Sequence, residues 1–163
     1  MAVSEVRALQ RLKNDQAAAS DPHRHVWLSA SAGSGKTHVL SARVFRLLLR
    51  GVDPAAILCL TFTKAGAAEM AERVASRLAR WVRLPTADLK ADLFALGEDV
   101  NDPVLLARAR TLFARVLDAP GGGVRIQTIH GFCQSLLAGF PVEAGLVPGF
   151  RPLEAREEAG MAR

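Results

Sequence analysis

The chain has 163 residues, of which 50% are hydrophobic and 23% are charged. This is enough apolar material for one domain with a core, and it excludes an intrinsically disordered chain. The length is short for two ordinary domains. The net charge of +5 and the isoelectric point near 10.0 are compatible with an anionic partner such as nucleic acid.

The cysteines and the apolar segments restrict the cofactors and the compartment. Cys59 and Cys133 are far apart and form no Cys-x-x-Cys pair, which argues against a zinc site and against a disulfide scaffold. Each lies in an apolar pattern, so we expect both to be buried. No apolar run is long enough to span a membrane, and the N-terminus does not resemble a secretion signal. We therefore expect a cytoplasmic protein without a membrane partner.

The first third of the chain predicts helix, strand, helix and strand. Residues 2–19 have a helical apolar period, and Ser20–Pro22 is expected to end that helix. Val26–Ser29 predicts the first strand. An amphipathic helix then runs up to Gly51, and Ile57–Phe62 predicts a strand buried on both faces. Arginines lie opposite the apolar stripe of the amphipathic helix: Arg43, Arg46 and Arg50.

Residues 65–82 predict a second amphipathic helix. Glu69 and Arg73 are spaced to form an i, i+4 ion pair on its polar face. The basic side of this helix is either a solvated face or a surface for phosphates. The apolar stripe consists of Ala67, Met70, Val74, Leu78 and Trp81, and the basic side of Arg73, Arg77, Arg80 and Arg83.

The remaining segments continue the alternation. Residues 86–100 predict a short helix, and Asp102 followed by Pro103 predicts the start of a longer helix that ends before Pro120. Val124–Thr128 predicts a third strand, and residues 129–139 predict a last helix. We expect the apolar side chains of that helix to point inward: Ile129, Phe132, Leu136 and Phe140. This alternation predicts an α/β fold, with three parallel strands and flanking helices.

A glycine-rich segment, Ala30–Thr37, lies between the first predicted strand and the first amphipathic helix. It is close to the P-loop pattern of Gly, four residues, then Gly-Lys-Ser/Thr, although Ala30 stands where that pattern has Gly. Glycines allow such a loop to turn tightly and to direct its N–H groups at one anion, and the following helix N-terminus adds positive charge. Lys36 would contact the β- and γ-phosphates, and the Thr37 hydroxyl would bind Mg²⁺. The other interpretation is a Gly/Ser linker.

A nucleotide-hydrolysing site also needs a carboxylate for the metal, usually on a strand that ends in Asp or Asp-Glu. Asp118 follows a helical pattern, and Glu98-Asp99 follows a glycine rather than a strand. We expect neither to be the metal ligand. The residues alone therefore predict a chain that binds a nucleotide better than it hydrolyses one.

Four segments in this order resemble the UvrD/Rep group of superfamily 1 DNA helicases. They are Gln16, the glycine-rich segment, Leu60–Met70 and Gln127–Cys133. Two further segments resemble more narrowly the AddA group of bacterial helicase–nuclease subunits: Leu117–Gly123 and Phe140–Gly145. The resemblance implies a partial P-loop NTPase (RecA-like) motor domain and an ATP-driven helicase of double-strand-break repair.

The resemblance implies a nucleotide site for ATP and Mg²⁺. Gln16 would bind the adenine edge, since an amide offers a donor and an acceptor together; the alternative is an ordinary surface glutamine. Lys36 would be the catalytic lysine, and His38 stands where relatives often carry Arg. The implied nucleotide-binding residues are Gln16, Ala30, Ser31, Ala32, Gly33, Ser34, Gly35, Lys36, Thr37 and His38, with Thr37 on Mg²⁺.

The resemblance also implies contacts with single- or double-stranded DNA and, in a full-length protein, an AddB-like protein partner. Phe62, Thr63 and Lys64 would contact the strand by stacking and by binding phosphate. Thr128 and His130 would form a second contact. The alternatives are a core phenylalanine, a helix-capping threonine and a histidine that caps its own helix. Gly66 lies in the following helix, where Ala would have better helix propensity.

The resemblance implies that residues 1–150 are the start of a UvrD-like ATP-binding domain and that residues 151–163 are a charged tail. The Asp-Glu strand, the second motor domain and the nuclease domain would lie after Arg163. We therefore expect the chain alone to have little or no ATPase activity. Two alternatives stay open: a truncated module that binds nucleotide or DNA without catalysis, and a P-loop small-molecule kinase.

Overall fold

The computed structural model describes residues 8–29, 31 and 35–151 of the chain. This part contains six α-helices and two short strands, with a 3₁₀ turn before the first strand. In chain order the elements are α1 (Asn14–Ala19), α2 (Lys36–Leu49), the 3₁₀ turn (Pro54–Ala56), β1 (Leu58–Thr61), α3 (Lys64–Arg83), α4 (Thr86–Ala95), α5 (Pro103–Leu117), β2 (Arg125–Thr128) and α6 (Ile129–Gly139).

The sheet consists of β1 and β2, which pair in parallel from Leu58 opposite Arg125 to Thr61 opposite Thr128. The prediction of a third strand was wrong: Val26–Ser29 is not a strand. A strand needs a hydrogen-bonded neighbour, and in the described part of the chain the only paired strands are β1 and β2. Trp27 in this segment is 94% exposed. The prediction that β1 is buried on both faces was also wrong, because Leu60 is exposed.

The core lies between α2, α3, α4 and α5. The predicted stripe of α3 is confirmed, with four of its five residues buried and Met70 packed against them. The rings of Phe45 on α2 and Trp81 on α3 meet with centroids 5.3 Å apart and a tilt of 52°, a favourable arrangement of two aromatic rings. The predicted pair of Glu69 and Arg73 is confirmed at 2.8 Å.

A buried carboxylate ties α4 to α3 and to the segment before α1. Asp92 is 2% exposed and accepts hydrogen bonds from Arg77 Nη1 at 2.9 Å, from Trp81 Nε1 at 2.9 Å and from the Leu9 backbone N–H at 3.0 Å. Arg77 therefore does not belong to a solvated basic face, as its place in the charge pattern suggested. It is buried because its guanidinium has a carboxylate partner.

The prediction of a helix over residues 2–19 was only partly right. Residues 1–7 lie outside the described part, residues 8–13 are not helical, and α1 covers Asn14–Ala19. The backbone N–H groups of Leu9 and Leu12 donate to Asp92 and to the Ala95 carbonyl instead of forming helical bonds. These tertiary bonds replace the local ones, so the apolar period did not produce a helix there.

The prediction of an inward apolar side for α6 was wrong. No residue of α6 is buried, and Phe140 at its end is 58% exposed. The helix contacts β1 and β2 but lies outside the core that α2, α3, α4 and α5 form. Cys133 on α6 is exposed for the same reason, against expectation, while Cys59 on β1 is half-buried and burial raises the pKa of its thiol.

Candidate nucleotide and nucleic-acid site

The glycine-rich segment leads into α2 at Lys36, as predicted. Gly35 has φ +89°, a left-handed conformation that favours glycine. Ser31 and residues 35–38 are described, and the Lys36 Nζ donates to the Ser31 carbonyl at 2.6 Å. The lysine therefore bends back over the loop, and Thr37 beside it is half-buried. Four residues predicted to bind nucleotide lie outside the described residues: Ala30, Ala32, Gly33 and Ser34.

Gln16 lies beside this loop although it is nineteen positions earlier in the chain than Gly35. A Cβ atom on Gly35 would stand 3.4 Å from Gln16 Nε2. Gln16 Oε1 accepts a hydrogen bond from the Lys13 backbone N–H at 3.0 Å, which fixes the side chain at the start of α1. The fold thus brings the predicted base-binding amide to the predicted phosphate loop.

His38 faces away from the loop toward the first described residues and α3. Its Nε2 lies 3.2 Å from the Gln10 carbonyl oxygen, and the side chain lines a cavity together with Arg73 and Arg77. Burial lowers the pKa of His38, the Gln10 carbonyl opposes this shift, and the two arginines add to it. The structure therefore favours a neutral imidazole at this position.

Phe62, Thr63 and Lys64 connect β1 to α3. Phe62 is 89% exposed, so the alternative of a core phenylalanine is excluded. The Thr63 Oγ1 accepts the Gly66 backbone N–H at 3.0 Å, so this threonine caps α3. Its cap role and a phosphate contact are compatible, since a hydroxyl can donate and accept at the same time.

The end of β2 repeats this arrangement. Thr128 Oγ1 accepts the Gly131 backbone N–H at 3.0 Å and caps α6, and His130 in the first turn is exposed. Because Thr61 and Thr128 are paired in the sheet, the two strand ends are neighbours. The predicted DNA-contacting residues after β1 and β2 are thereby brought to one edge of the sheet.

Gly66 and Gly131 have a structural role that the sequence reasoning missed. Each occupies the third position of its helix, three residues after the capping threonine. A Cβ on Gly66 would stand 3.0 Å from Thr63 Oγ1 and 3.1 Å from Thr61 Oγ1, and one on Gly131 would stand 3.3 Å from Thr128 Oγ1. The repeated Thr-x-x-Gly spacing after two predicted strands was the available signal.

The loop and the strand ends face the same end of the molecule. His38 on α2 shares a cavity with Arg73 and Arg77 on α3, and further along both helices Phe45 contacts Trp81. The two helices therefore run in the same direction. Because α3 begins where β1 ends, the start of α2 lies toward that edge of the sheet as well.

The carboxylates considered for a metal site have structural contacts. Glu98 forms an ion pair with Arg46 at 2.8 Å, Asp99 accepts the Asn101 backbone N–H, and Asp118 is the C-cap of α5. Within residues 8–29, 31 and 35–151, no group of three or more His, Cys, Asp or Glu side chains could hold a metal ion. A Mg²⁺ ion would thus take the Thr37 hydroxyl and the bound phosphates as ligands, with no described carboxylate beside it. None of the described helices is long and apolar enough to cross a membrane.

A family model described as the UvrD/REP helicase N-terminal domain matches residues 12–161. The chain belongs to this family. The match extends over both strand ends and the glycine-rich segment, so the geometry described above is that of a UvrD/REP helicase N-terminal domain.

Curated relatives are named as the AddA polypeptide of an ATP-dependent helicase/nuclease. The protein of Lactobacillus gasseri is 43% identical over 151 residues, which is 93% of this chain and 11% of the relative. That of Latilactobacillus sakei is 33% identical over 145 residues, or 89% of this chain and 14% of the relative. That of Levilactobacillus brevis is 36% identical over 136 residues, or 83% of this chain and 9% of the relative. The chain therefore spans only a small part of the length of these relatives.

Proposed function

We propose that this chain is the ATP-binding N-terminal portion of an ATP-dependent DNA helicase, in a helicase–nuclease that acts in double-strand-break repair and recombination. The observation that carries the proposal is the position of Gln16 beside Gly35, at the start of α2. The names of the relatives and the family match support the same function. An AddB-like protein would be the partner of the full-length enzyme.

The nucleotide would bind at the start of α2. Lys36 and the backbone from Gly35 onward would hold the phosphates, Thr37 would bind Mg²⁺, and Gln16 would contact the base. These residues suit the group, because Gly35 has the left-handed backbone of a phosphate loop and the Gln16 amide lies next to it. The Lys36 ammonium, which donates to the Ser31 carbonyl, would exchange that acceptor for a phosphate oxygen. When bound, ATP supplies the free energy of phosphate hydrolysis.

Single-stranded DNA would bind across the ends of β1 and β2. Phe62 would stack on a base, and Thr63, Lys64, Thr128 and His130 would contact the strand or its phosphates without reading sequence. The exposure of Phe62 supports this role, since burying so apolar a ring would be the ordinary outcome in a domain without a partner at this edge.

The test is equilibrium binding of a fluorescent ATP analogue and of a single-stranded oligonucleotide to the 163-residue chain. Lys36→Ala should abolish nucleotide binding and leave the circular dichroism spectrum unchanged. Lys64→Ala is the matched control, because it removes an exposed lysine at the start of the next helix, and it should weaken only oligonucleotide binding.

ATPase activity should be absent or very low, because no strand of the described part ends in Asp-Glu. Nucleotide binding that is unaffected by Lys36→Ala would overturn the proposal. DNA-stimulated turnover at ordinary enzymatic rates would overturn the expectation that this chain binds nucleotide without hydrolysing it, and nucleotide-dependent phosphorylation of a small molecule would favour a kinase instead.

A further inference from the structure

The polar face of α2 holds α1 in place. Three arginines that follow one another along α2 donate to acceptors at the end of α1 and in the turn after it. Arg43 contacts the carbonyls of Asp21 and Arg24, and Arg50 contacts the His23 ring. The face predicted to be opposite the core is therefore the surface on which α1 lies.

Arg46 is the buried member of this series. Its Nη1 donates to the Ala17 carbonyl at 3.1 Å and to Ser20 Oγ at 2.9 Å, and its Nε donates to Glu98 at 2.8 Å. Ser20 is fully buried, and its hydroxyl donates in turn to the Ala17 carbonyl. A guanidinium suits this position because its donors are rigid and planar, and because positive charge stabilises the C-terminus of a helix.

Arg46 and Gly35 belong to the same stretch of chain, so α2 carries both the end of the phosphate loop and the residue that binds α1. Gln16 immediately precedes Ala17, whose carbonyl Arg46 holds. The position of the Gln16 amide relative to Gly35 therefore depends on the contact between Arg46 and α1. α1 has only six residues, and a helix of that length is not stable without tertiary contacts.

We infer that Arg46, oriented by Glu98, is a positioning residue for base recognition: it fixes α1 so that Gln16 stands beside the phosphate loop. This inference rests on the proposed function. It adds that the selectivity for adenine over guanine nucleotides depends on a buried ion pair that cannot itself touch the nucleotide phosphates at Lys36.

The experiment compares the dissociation constants for ATP and GTP in the wild-type chain and in Arg46→Met, Arg46→Lys and Glu98→Gln. The wild-type chain should prefer ATP. Arg46→Met should lower that preference by roughly two- to tenfold, the value of about one hydrogen bond, while binding of the triphosphate persists. Arg46→Lys should lower it less, since one donor remains. Arg50→Met, which removes an exposed arginine of the same face, is the matched control and should leave the preference unchanged.

A Gln16→Ala background separates positioning from general damage. If Arg46 acts through Gln16, Gln16→Ala should lower the ATP preference, and adding Arg46→Lys should lower it no further. The ¹⁵N resonance of the Gln16 side-chain amide, assigned by its loss in Gln16→Ala, should shift in Arg46→Lys even without nucleotide. This measurement also tests the inference if Arg46→Met does not fold.

An unchanged preference or an unchanged Gln16 resonance in folded Arg46 variants would overturn the inference. So would equal affinities of the wild-type chain for ATP and GTP, although the proposed function would survive that result. A wild-type chain that binds neither nucleotide would overturn the proposed function and this inference with it.

Discussion

Thr61 of β1 lies opposite Thr128 of β2 as the last pair of the parallel register. The chain leaves the sheet at the same level from both strands and enters a helix in each case, at Lys64 and at Ile129. Two segments that are more than sixty positions apart in the sequence thus share one surface. This relationship allows the residues on that surface to be tested as a unit.

Phe62→Ala should weaken binding of a single-stranded oligonucleotide and leave stability nearly unchanged. The ring is 89% exposed, so the folded chain loses little packing when it is removed. Loss of one base–aromatic stack corresponds to about 1–3 kcal/mol, or a dissociation constant roughly 5- to 150-fold higher. Fluorescence anisotropy with a labelled oligonucleotide measures this change.

Phe140→Ala is the matched control for the stacking prediction. Phe140 is also exposed, but it follows α6 at the end opposite to the strand. Its removal should not change oligonucleotide affinity. Equal losses in the two variants would contradict a specific role for Phe62.

Gly66→Ala should fail to stabilise the chain, although alanine is the better helix former by about 1 kcal/mol. The added Cβ would stand 3.0 Å from the Thr63 hydroxyl that caps α3 and 3.1 Å from the Thr61 hydroxyl. The cap bond must shift to make room, which offsets the propensity gain. Urea denaturation gives the free energy of unfolding of the variant.

Gly139→Ala provides the comparison, because nothing lies within 4 Å of a Cβ at that helical position. It should stabilise the chain by a few tenths to about 1 kcal/mol. A gain of the same size in Gly66→Ala would show that the hydroxyls move at no cost.

Asp92→Ala should destabilise the chain by about 3–5 kcal/mol, because it removes the carboxylate that the buried Arg77 contacts. Asp92→Asn should cost less, since an amide oxygen can still accept from Trp81. Thermal and urea unfolding measure both. Glu69→Ala removes an exposed pair on the same helix and should change stability by less than about 0.5 kcal/mol; a similar loss in Glu69→Ala and Asp92→Ala would be inconsistent with the difference in burial.

The stability of the chain should decrease as the pH falls below 6.5, the ordinary pKa of histidine. Burial lowers the pKa of His38 in the folded state, and Arg73 and Arg77 add to this effect while the Gln10 carbonyl opposes it. The unfolded chain therefore binds a proton before the folded chain does, so stability is lost between 6.5 and the lowered pKa and is unaffected above that window.

His38→Gln should flatten this dependence in urea denaturation curves recorded at several pH values. His25→Gln, at an exposed position, is the control and should leave the slope of the wild-type chain intact. An unaltered slope in His38→Gln would contradict the prediction.

The helices of the core could be predicted from the sequence because their signals are local. The stripe of α3, the cap and proline that start α5, and the glycine after α2 each specify their element within a few residues. The strand ends could be predicted for the same reason, since Thr63 and Thr128 follow apolar runs directly.

What could not be predicted depends on partners that are distant in the sequence. An apolar segment such as Val26–Ser29 becomes a strand only beside a hydrogen-bonded neighbour, and α6 buries its apolar side only if another element covers it. The charge pattern likewise could not distinguish Arg77 from Arg73, because the difference is the carboxylate of Asp92, fifteen positions beyond Arg77. The proximity of Gln16 to Gly35 is also a tertiary fact that the motif order suggests but does not establish.

The internal contacts of the arginines bear on how this basic chain would bind a polyanion. Six of them donate to carbonyls, carboxylates or ring nitrogens of the chain itself: Arg43, Arg46, Arg50, Arg77, Arg108 and Arg110. A cation held in this way displaces few counterions from a phosphate backbone. The affinity for DNA should therefore fall less steeply with added salt than a surface bearing all of these charges would require.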